Sequence, residues 1–377
     1  MTEPQLAVIP VASGAAHESQ SGLNQNWPRI YGAWRQPADW SGCAAIVVHP
    51  TSNFMNHYLL EPLHRRGVAS MGLNTRYLGN DVSLLMERAI QDVGAGVRWC
   101  RDRGARKVVL IGNSGGAALA AFYQSQAEHL TIRDAPDGTA IELSPADLPA
   151  VDGILLCAAH AGRSRLLRGW IDPALLDERD PDRLDPGLDL YGRRHAPPYP
   201  ADFVAAFRAA QARRHDRLDA WVRRRLETLR GSGKARDEAF VIHRTHADPR
   251  FLDLSLDAND RQAGSVWGDP AAVNVAANSM GRFTTLTAYL SQWSMASRAD
   301  GPDRLAETSV PVRLLDYTAD QSVFPSTIAA WSGALAGRSE AARWDLHRIP
   351  GGNHYLAGQP DLVEQAADLI ADFATGL

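Results

Sequence analysis

The stretch Lys107-Val-Val-Leu-Ile-Gly-Asn-Ser-Gly-Gly116 decides the reading of this chain. Its apolar run, residues 108–111, leads directly into Gly-x-Ser-x-Gly, and residues 117–123, Ala-Ala-Leu-Ala-Ala-Phe-Tyr, continue as strong helix formers. The expected local structure is a buried parallel strand, a tight turn and a helix. Ser114 then stands at the apex, on a strained turn that pushes its hydroxyl out of the sheet. Gly112, Gly115 and Gly116 are small because side chains there would collide with the neighbouring strand and helix. Gly-x-Ser-x-Gly alone arises by chance in a chain with 31 glycines; the strand and helix around it make Ser114 a candidate nucleophile.

A serine hydroxyl has a high pKa, so attack near neutral pH requires a base to take its proton and a carboxylate to orient that base. The candidate base is His354, in Ile349-Pro-Gly-Gly-Asn-His-Tyr-Leu356, where a strand over residues 344–349 gives way to a glycine-rich loop before the last helix. The candidate acid is Asp320. It closes the segment Val310-Pro-Val-Arg-Leu-Leu-Asp-Tyr-Thr-Ala-Asp320, an apolar strand ending in a polar turn. That places it at the carboxyl edge of the sheet, where ligands bind in open α/β folds. Asp316 is the rival, but it lies inside the strand, where an unpaired carboxylate is costly to desolvate, so it reads as a hydrogen-bonded strand residue.

Apolar runs alternate with helical patterns along the chain, the signature of a parallel sheet. Strands are expected over residues 6–11, 31–35, 44–49, 68–74, 108–111, 151–159, 310–315 and 344–349, with helices near 56–66 and 84–103. Residues 131–149 read as a polar excursion between the serine helix and the next strand.

Strand, Gly-x-Ser-x-Gly, acid and base follow one another in the order that resembles the α/β-hydrolase superfamily, over nearly all the chain except the first ~20 residues and a middle insertion. The resemblance implies a mostly parallel central sheet flanked by helices, with Ser114 as nucleophile, Asp320 as acid and His354 as base. Thr318-Ala319-Asp320 looks like the family's glycine-threonine-x-aspartate turn, with Tyr317 where the glycine usually stands. The family also holds the developing oxyanion with two backbone N–H groups, one from the residue after the nucleophile and one from an early loop. Gly115 supplies the first. For the second, His49-Pro50 resembles a histidine-glycine pair with the glycine replaced, and proline has no N–H to give, so Thr51 is the expected donor and Ser52 the next.

The core is expected over residues 1–160 and 302–377, with 161–301 as a mainly helical cap without clear strands. Prolines punctuate its first third, and residues 203–230 carry Phe207, Leu218, Trp221, Val222, Leu226 and Leu229 at near-helical spacing. Phe283, Tyr289, Trp293 and Met295 form an aromatic-rich stretch before the return strand; Phe283, Tyr289 and Trp293 are the candidate substrate-binding residues, although most such stripes are packing. His243, His246 and Asp248 invite a metal reading, but one His-x-x-His without a second ligand cluster favours a polar cap surface, and no metal is assigned.

Composition fits an enzyme of this size: 377 residues, 45% hydrophobic, net charge −4. Only Lys107 and Lys234 are lysines; Arg223-Arg224-Arg225 lacks interleaved aromatics and reads as a solvated helix face, so no nucleic-acid partner is expected. Cys43, Cys100 and Cys157 are too few and scattered for a disulfide scaffold, and no export signal or membrane span is recognisable, so a cytoplasmic protein without a membrane partner is expected. No cofactor motif occurs. The expected activity is a serine esterase working through an acyl-enzyme on a small-molecule ester, apolar or aromatic in character. Lactones and thioesters are included, and a homodimer is left open. Amidase, peptidase, acyltransferase and carbon–carbon bond hydrolase activities, or a catalytically silent binding protein, remain alternatives on the same fold. A haloalkane-dehalogenase-like reaction needs a carboxylate where Ser114 stands.

Overall fold

Along the strand Cys43–His49 (β3), Ala44, Ile46 and Val48 face one core layer, while Cys43, Ala45 and Val47 face another. Both faces are covered, so the strand reads as a continuous apolar run with no polar alternation. The same division holds in Lys107–Asn113 (β5), where Val108 and Leu110 join the first layer and Val109 and Ile111 the second. The computed structural model describes residues 3–12, 28–233, 236–339 and 341–377.

The central sheet has eight strands in the order β1-β2-β4-β3-β5-β6-β11-β12. Gln5–Pro10 (β1), Arg29–Arg35 (β2) and Ala69–Asn74 (β4) form the antiparallel edge. From β4 onward, β3, β5, Gly153–Cys157 (β6), Val312–Tyr317 (β11) and Trp344–Ile349 (β12) all run parallel. These are the strands expected from the apolar runs. β6 is shorter than expected because the chain leaves the sheet at Ala158, whose φ is +45°.

Five helices flank the sheet in sequence-near positions: Leu60–Arg65 (α1), Met86–Asp102 (α2) and Gly116–Glu128 (α3) before the insertion, and Gly301–Ala306 (α8) with Pro325–Ala336 (α9) after it. Pro360–Thr375 (α10) ends the chain and packs with α1 on the β3 face that carries Val47. α2 and α3, with Trp331 of α9, cover the other face.

Between β6 and α8 lie Arg163–Trp170 (α4), Ala201–Ser232 (α5), Pro270–Val275 (α6) and Leu286–Gln292 (α7). The long α5 starts behind Pro200 with Asp202 in its first turn and stops at Gly233, whose φ of +65° suits a left-handed cap. Its Leu218, Val222, Leu226 and Leu229 pack against Tyr289 and Trp293. The expectation of no strands here is corrected. Leu175–Asp177 (β7) pairs with Asp180–Leu184 (β8), and Ala239–Val241 (β9) pairs with Phe283–Thr285 (β10). Segments of three to five residues are too short to show an alternating pattern.

The segment leaves and rejoins the core at one seam. Gly301 donates its N–H to the Ala161 carbonyl at 2.8 Å, and Trp331 Nε1 donates to the Ala159 carbonyl at 2.9 Å.

Candidate active site

Parallel neighbours bring their carboxyl ends to one edge. Val48 of β3 pairs with Gly112 of β5, so His49 and Ser114 emerge side by side; Tyr317 pairs with Ile349, so the loops carrying Asp320 and His354 emerge together. Ser114 has φ +57°, a conformation that non-glycine residues rarely hold, and the packing around the turn enforces it. A Cβ on Gly112 would come within 2.6 Å of Ala117 Cα, and one on Gly116 within 1.9 Å of the Val48 carbonyl oxygen. Helix, turn and strand therefore meet at backbone contact, as the sequence of small residues requires.

Ser114 Oγ lies 2.9 Å from His354 Nε2, and His354 Nδ1 lies 2.7 Å from Asp320 Oδ2. All three side chains are buried. The other Asp320 oxygen, Oδ1, accepts the N–H groups of Ser322 and Val323 at 2.7 and 2.9 Å. Burial would raise the Asp320 carboxyl, but His354 and these two N–H groups outweigh it and hold the acid below its usual range. An ionised Asp320 only accepts hydrogen bonds, so the His354 proton sits on Nδ1, leaving Nε2 to accept the Ser114 proton. The rival Asp316 stays in β11, 3.4 Å from Arg348 Nε, and takes no part in this chain.

The cavity in front of Ser114 has a volume of about 380 Å³. Its floor is His49, Thr51, Ser52, Ser114, Gly115, His160 and Tyr355; Arg163, Leu166, Trp267, Ser279, Met280 and Trp293 of the inserted segment wall it. Arg163 ties the inserted segment to the core, donating to Asp81 at 2.8 Å and Thr51 Oγ1 at 3.0 Å, and within its own segment it donates to Gln292 at 2.6 Å. Burial raises the Tyr355 phenol while the adjacent Ser114 hydroxyl pulls it back. A wider groove of about 690 Å³ opens between α9, β12 and α10; its polar lining includes the Arg313–Asp345–Asp372 ion-pair set and Arg338, which donates to the Val310 carbonyl at 2.8 Å, together with Ser339 and Arg343.

Of the three candidate substrate residues, only Trp293 lines the Ser114 cavity. Phe283 sits on β10 at 49% exposure, away from the cavity, because its strand pairs with β9 on the outside of the segment. Tyr289 turns inward, packs beside Leu218 and Trp293, and donates its hydroxyl to Asp219 at 2.6 Å. The expected second oxyanion donors also lie differently. Thr51 and Ser52 donate their N–H groups to His49 Nδ1, at 3.1 and 2.8 Å, and a donor so engaged is not free for a ligand.

The His-x-x-His segment is packing and ion pairing. Asp248 is fully buried and accepts from Arg208 at 2.6 Å and Arg250 at 2.7 Å, while His246 stacks on Phe251. Among the described residues, no cluster of three or more His, Cys, Asp or Glu side chains is arranged to hold a metal ion, and no helix is long and apolar enough to cross a membrane.

No family model and no curated protein sequence matches the chain. Among solved structures it is similar to DcsB in complex with a substrate analogue, at 12% identity over 99% of each chain with a TM-score of 0.50. The chain has the α/β-hydrolase fold. The siderophore hydrolase EstB from Aspergillus fumigatus aligns over 97% of this chain and 96% of its own, at 14% identity and a TM-score of 0.48. Est1E from Butyrivibrio proteoclasticus aligns over 100% of both chains, at 12% and 0.48.

In this α/β-hydrolase fold His160, Arg163, Trp267 and Tyr355 also line the cavity, none of them expected there from the sequence. His160 follows the end of β6 and its ring centroid lies 5.3 Å from that of His354, so strand-end placement was a usable signal. Trp267 belongs to an irregular stretch whose pattern carried no signal at all.

Proposed function

We propose that the protein is a serine hydrolase that cleaves carboxylic esters of small molecules through an acyl-enzyme. The observation that carries this reading is the contiguous line Asp320 Oδ2, His354 Nδ1, His354 Nε2, Ser114 Oγ, with steps of 2.7 and 2.9 Å. His354 Nε2 takes the Ser114 proton as Oγ attacks the ester carbonyl, and Asp320 stabilises the imidazolium that forms. The tetrahedral intermediate collapses, the alkoxide leaves with the proton from His354, and the acyl group stays on Oγ. Water, deprotonated by His354, then attacks the acyl carbonyl; the proton returns to Oγ and the acid departs.

The segment 161–301 acts as the cap that selects substrates. Trp267, Trp293, Met280 and Leu166 supply apolar surface, and the cavity of about 380 Å³ suits a small ester, lactone or thioester with an apolar or aromatic acyl group.

A fluorophosphonate probe tests the reading. Wild-type protein gains one adduct on Ser114, Ser114→Ala gains none, and His354→Ala labels slowly; a panel of aryl and alkyl esters is then hydrolysed by wild type only. Folded wild type that neither labels nor hydrolyses any ester overturns it.

A further inference from the structure

His49 ends β3 beside the Ser114 turn, at 9% exposure. Its Nδ1 accepts two N–H groups, those of Thr51 at 3.1 Å and Ser52 at 2.8 Å. A nitrogen that accepts two donors carries no proton, so a neutral His49 holds its hydrogen on Nε2. The neutral state is itself favoured, because burial and the nearby Arg163 lower the imidazole well below its ordinary range. Nε2 is the ring atom turned toward Gly115: a Cβ placed on Gly115 would lie 3.0 Å from it, against 3.6 and 3.8 Å for the two flanking ring carbons. His49, Gly115 and Ser114 line one cavity.

We propose that His49 is a catalytic residue: its Nε2–H, with the Gly115 N–H, holds the oxyanion in place of the second backbone donor that Pro50 and the engaged Thr51 and Ser52 amides cannot supply. The proposal rests on the serine-hydrolase reading above. Gly115 stands at the start of α3, where N–H groups lack intrahelical acceptors and the helix favours negative charge, so its N–H is available. The imidazole reaches the same place from the neighbouring strand. The two Nδ1 contacts fix the ring and its tautomer before substrate arrives, which is what a donor aimed at developing charge requires. They also explain why loop 50–52 folds back on the histidine.

Two substitutions separate donation from loop support. In His49→Asn, the short amide oxygen replaces Nδ1 as acceptor for Thr51 and Ser52, and nothing replaces Nε2–H. In His49→Gln, the longer amide can place an N–H near the old Nε2. The expected result is that His49→Asn lowers kcat by about 10²–10³-fold with KM within a few-fold. Its affinity for an aryl trifluoromethyl ketone, which binds as a hemiketal oxyanion, falls by a similar factor. His49→Gln recovers kcat at least tenfold over His49→Asn. In wild type labelled with 15N-histidine, the His49 Nε2–H resonance moves downfield when the ketone binds. The proposal is overturned if folded His49→Asn keeps kcat within threefold, if both variants lose equally with matching losses of thermal stability, or if the resonance is indifferent to the ketone. Wild type inert toward both fluorophosphonate and esters is a different result: it overturns the hydrolase reading itself.

Discussion

Gly116 sits so close to Val48 that a Cβ on it would lie 1.9 Å from the Val48 carbonyl oxygen. Val48 precedes His49, and Gly116 follows the Ser114–Gly115 pair, so this contact seats the start of α3 against the end of β3 beside both parts of the site. Gly116→Ala must push α3 and β3 apart. The expected loss is about 3 kcal/mol of stability, with kcat down about 100-fold from misplaced reacting groups. Thermal unfolding and ester kinetics on the variant check both; a stable variant at full kcat would contradict the contact.

Asp320→Asn is expected to keep the site's shape and lose its chemistry. The Ser322 and Val323 N–H groups fix an oxygen at the Oδ1 position, so the new amide nitrogen faces His354 Nδ1. An N–H there turns Nδ1 into an acceptor and moves the imidazole proton to Nε2, where it can no longer receive the Ser114 proton. The expected fall in kcat is about 10⁴-fold, with KM little changed. Steady-state kinetics beside a thermal scan will separate this from unfolding.

Acid should unfold the protein through buried histidines. Burial is the main cause that holds His57 and His160 at about 3 and His246 at about 4, against an ordinary 6.5. Each therefore binds a proton more readily unfolded than folded. The stability from keeping them neutral is fully present above pH 6.5 and is lost as pH falls, down to about 4 for His246 and about 3 for His57 and His160. Around pH 5 the slope is on the order of 1.4 kcal/mol per pH unit for each histidine, about 4 for the three. Urea midpoints at pH 7, 6, 5 and 4.5 measure it, and a flat profile from 7 to 5 would show these rings charging without penalty.

Trp267→Ala is expected to change which esters are accepted more than how stable the fold is. The side chain is 48% exposed and lines the cavity, with its ring edge-on to Trp170 and His246. For a bulky aryl ester kcat/KM should fall roughly tenfold, about 1.4 kcal/mol, while an acetate should change by less than threefold. An equal loss on both esters would place Trp267 outside the acyl path.

Much of the architecture was legible because parallel strands buried on both faces leave unbroken apolar runs, as in 108–111 and 44–49. Strand ends then locate loops, and that rule separated Asp320 from Asp316: the first leaves the sheet and meets His354, the second stays and meets Arg348. The direction of a backbone N–H obeys no such rule. Thr51 and Ser52 point at His49 Nδ1 because a side chain of the preceding strand offers an acceptor, a tertiary fact that residue spacing does not encode. Tyr289 of α7 and Trp293, just past its end, both pack on α5, and only Trp293 also reaches the cavity, a division that an aromatic-rich stretch of sequence does not reveal. The strands β7 to β10 pair within the inserted segment alone, so no flanking pattern announced them.

The seam at Ala161 and Gly301 has an evolutionary consequence. Because the chain departs and returns within one hydrogen bond, an excursion of another length can start and end at the same two points, provided that the core groups it now partners, among them the Asp320 carbonyl that accepts from Asn259, find other partners. Ser114, Asp320, His354, His49 and Gly115 all lie outside it. On the proposed hydrolase reading, the reacting groups and the segment proposed to choose the substrate are therefore encoded in separable stretches, and chimaeras joined at these two points would test that division.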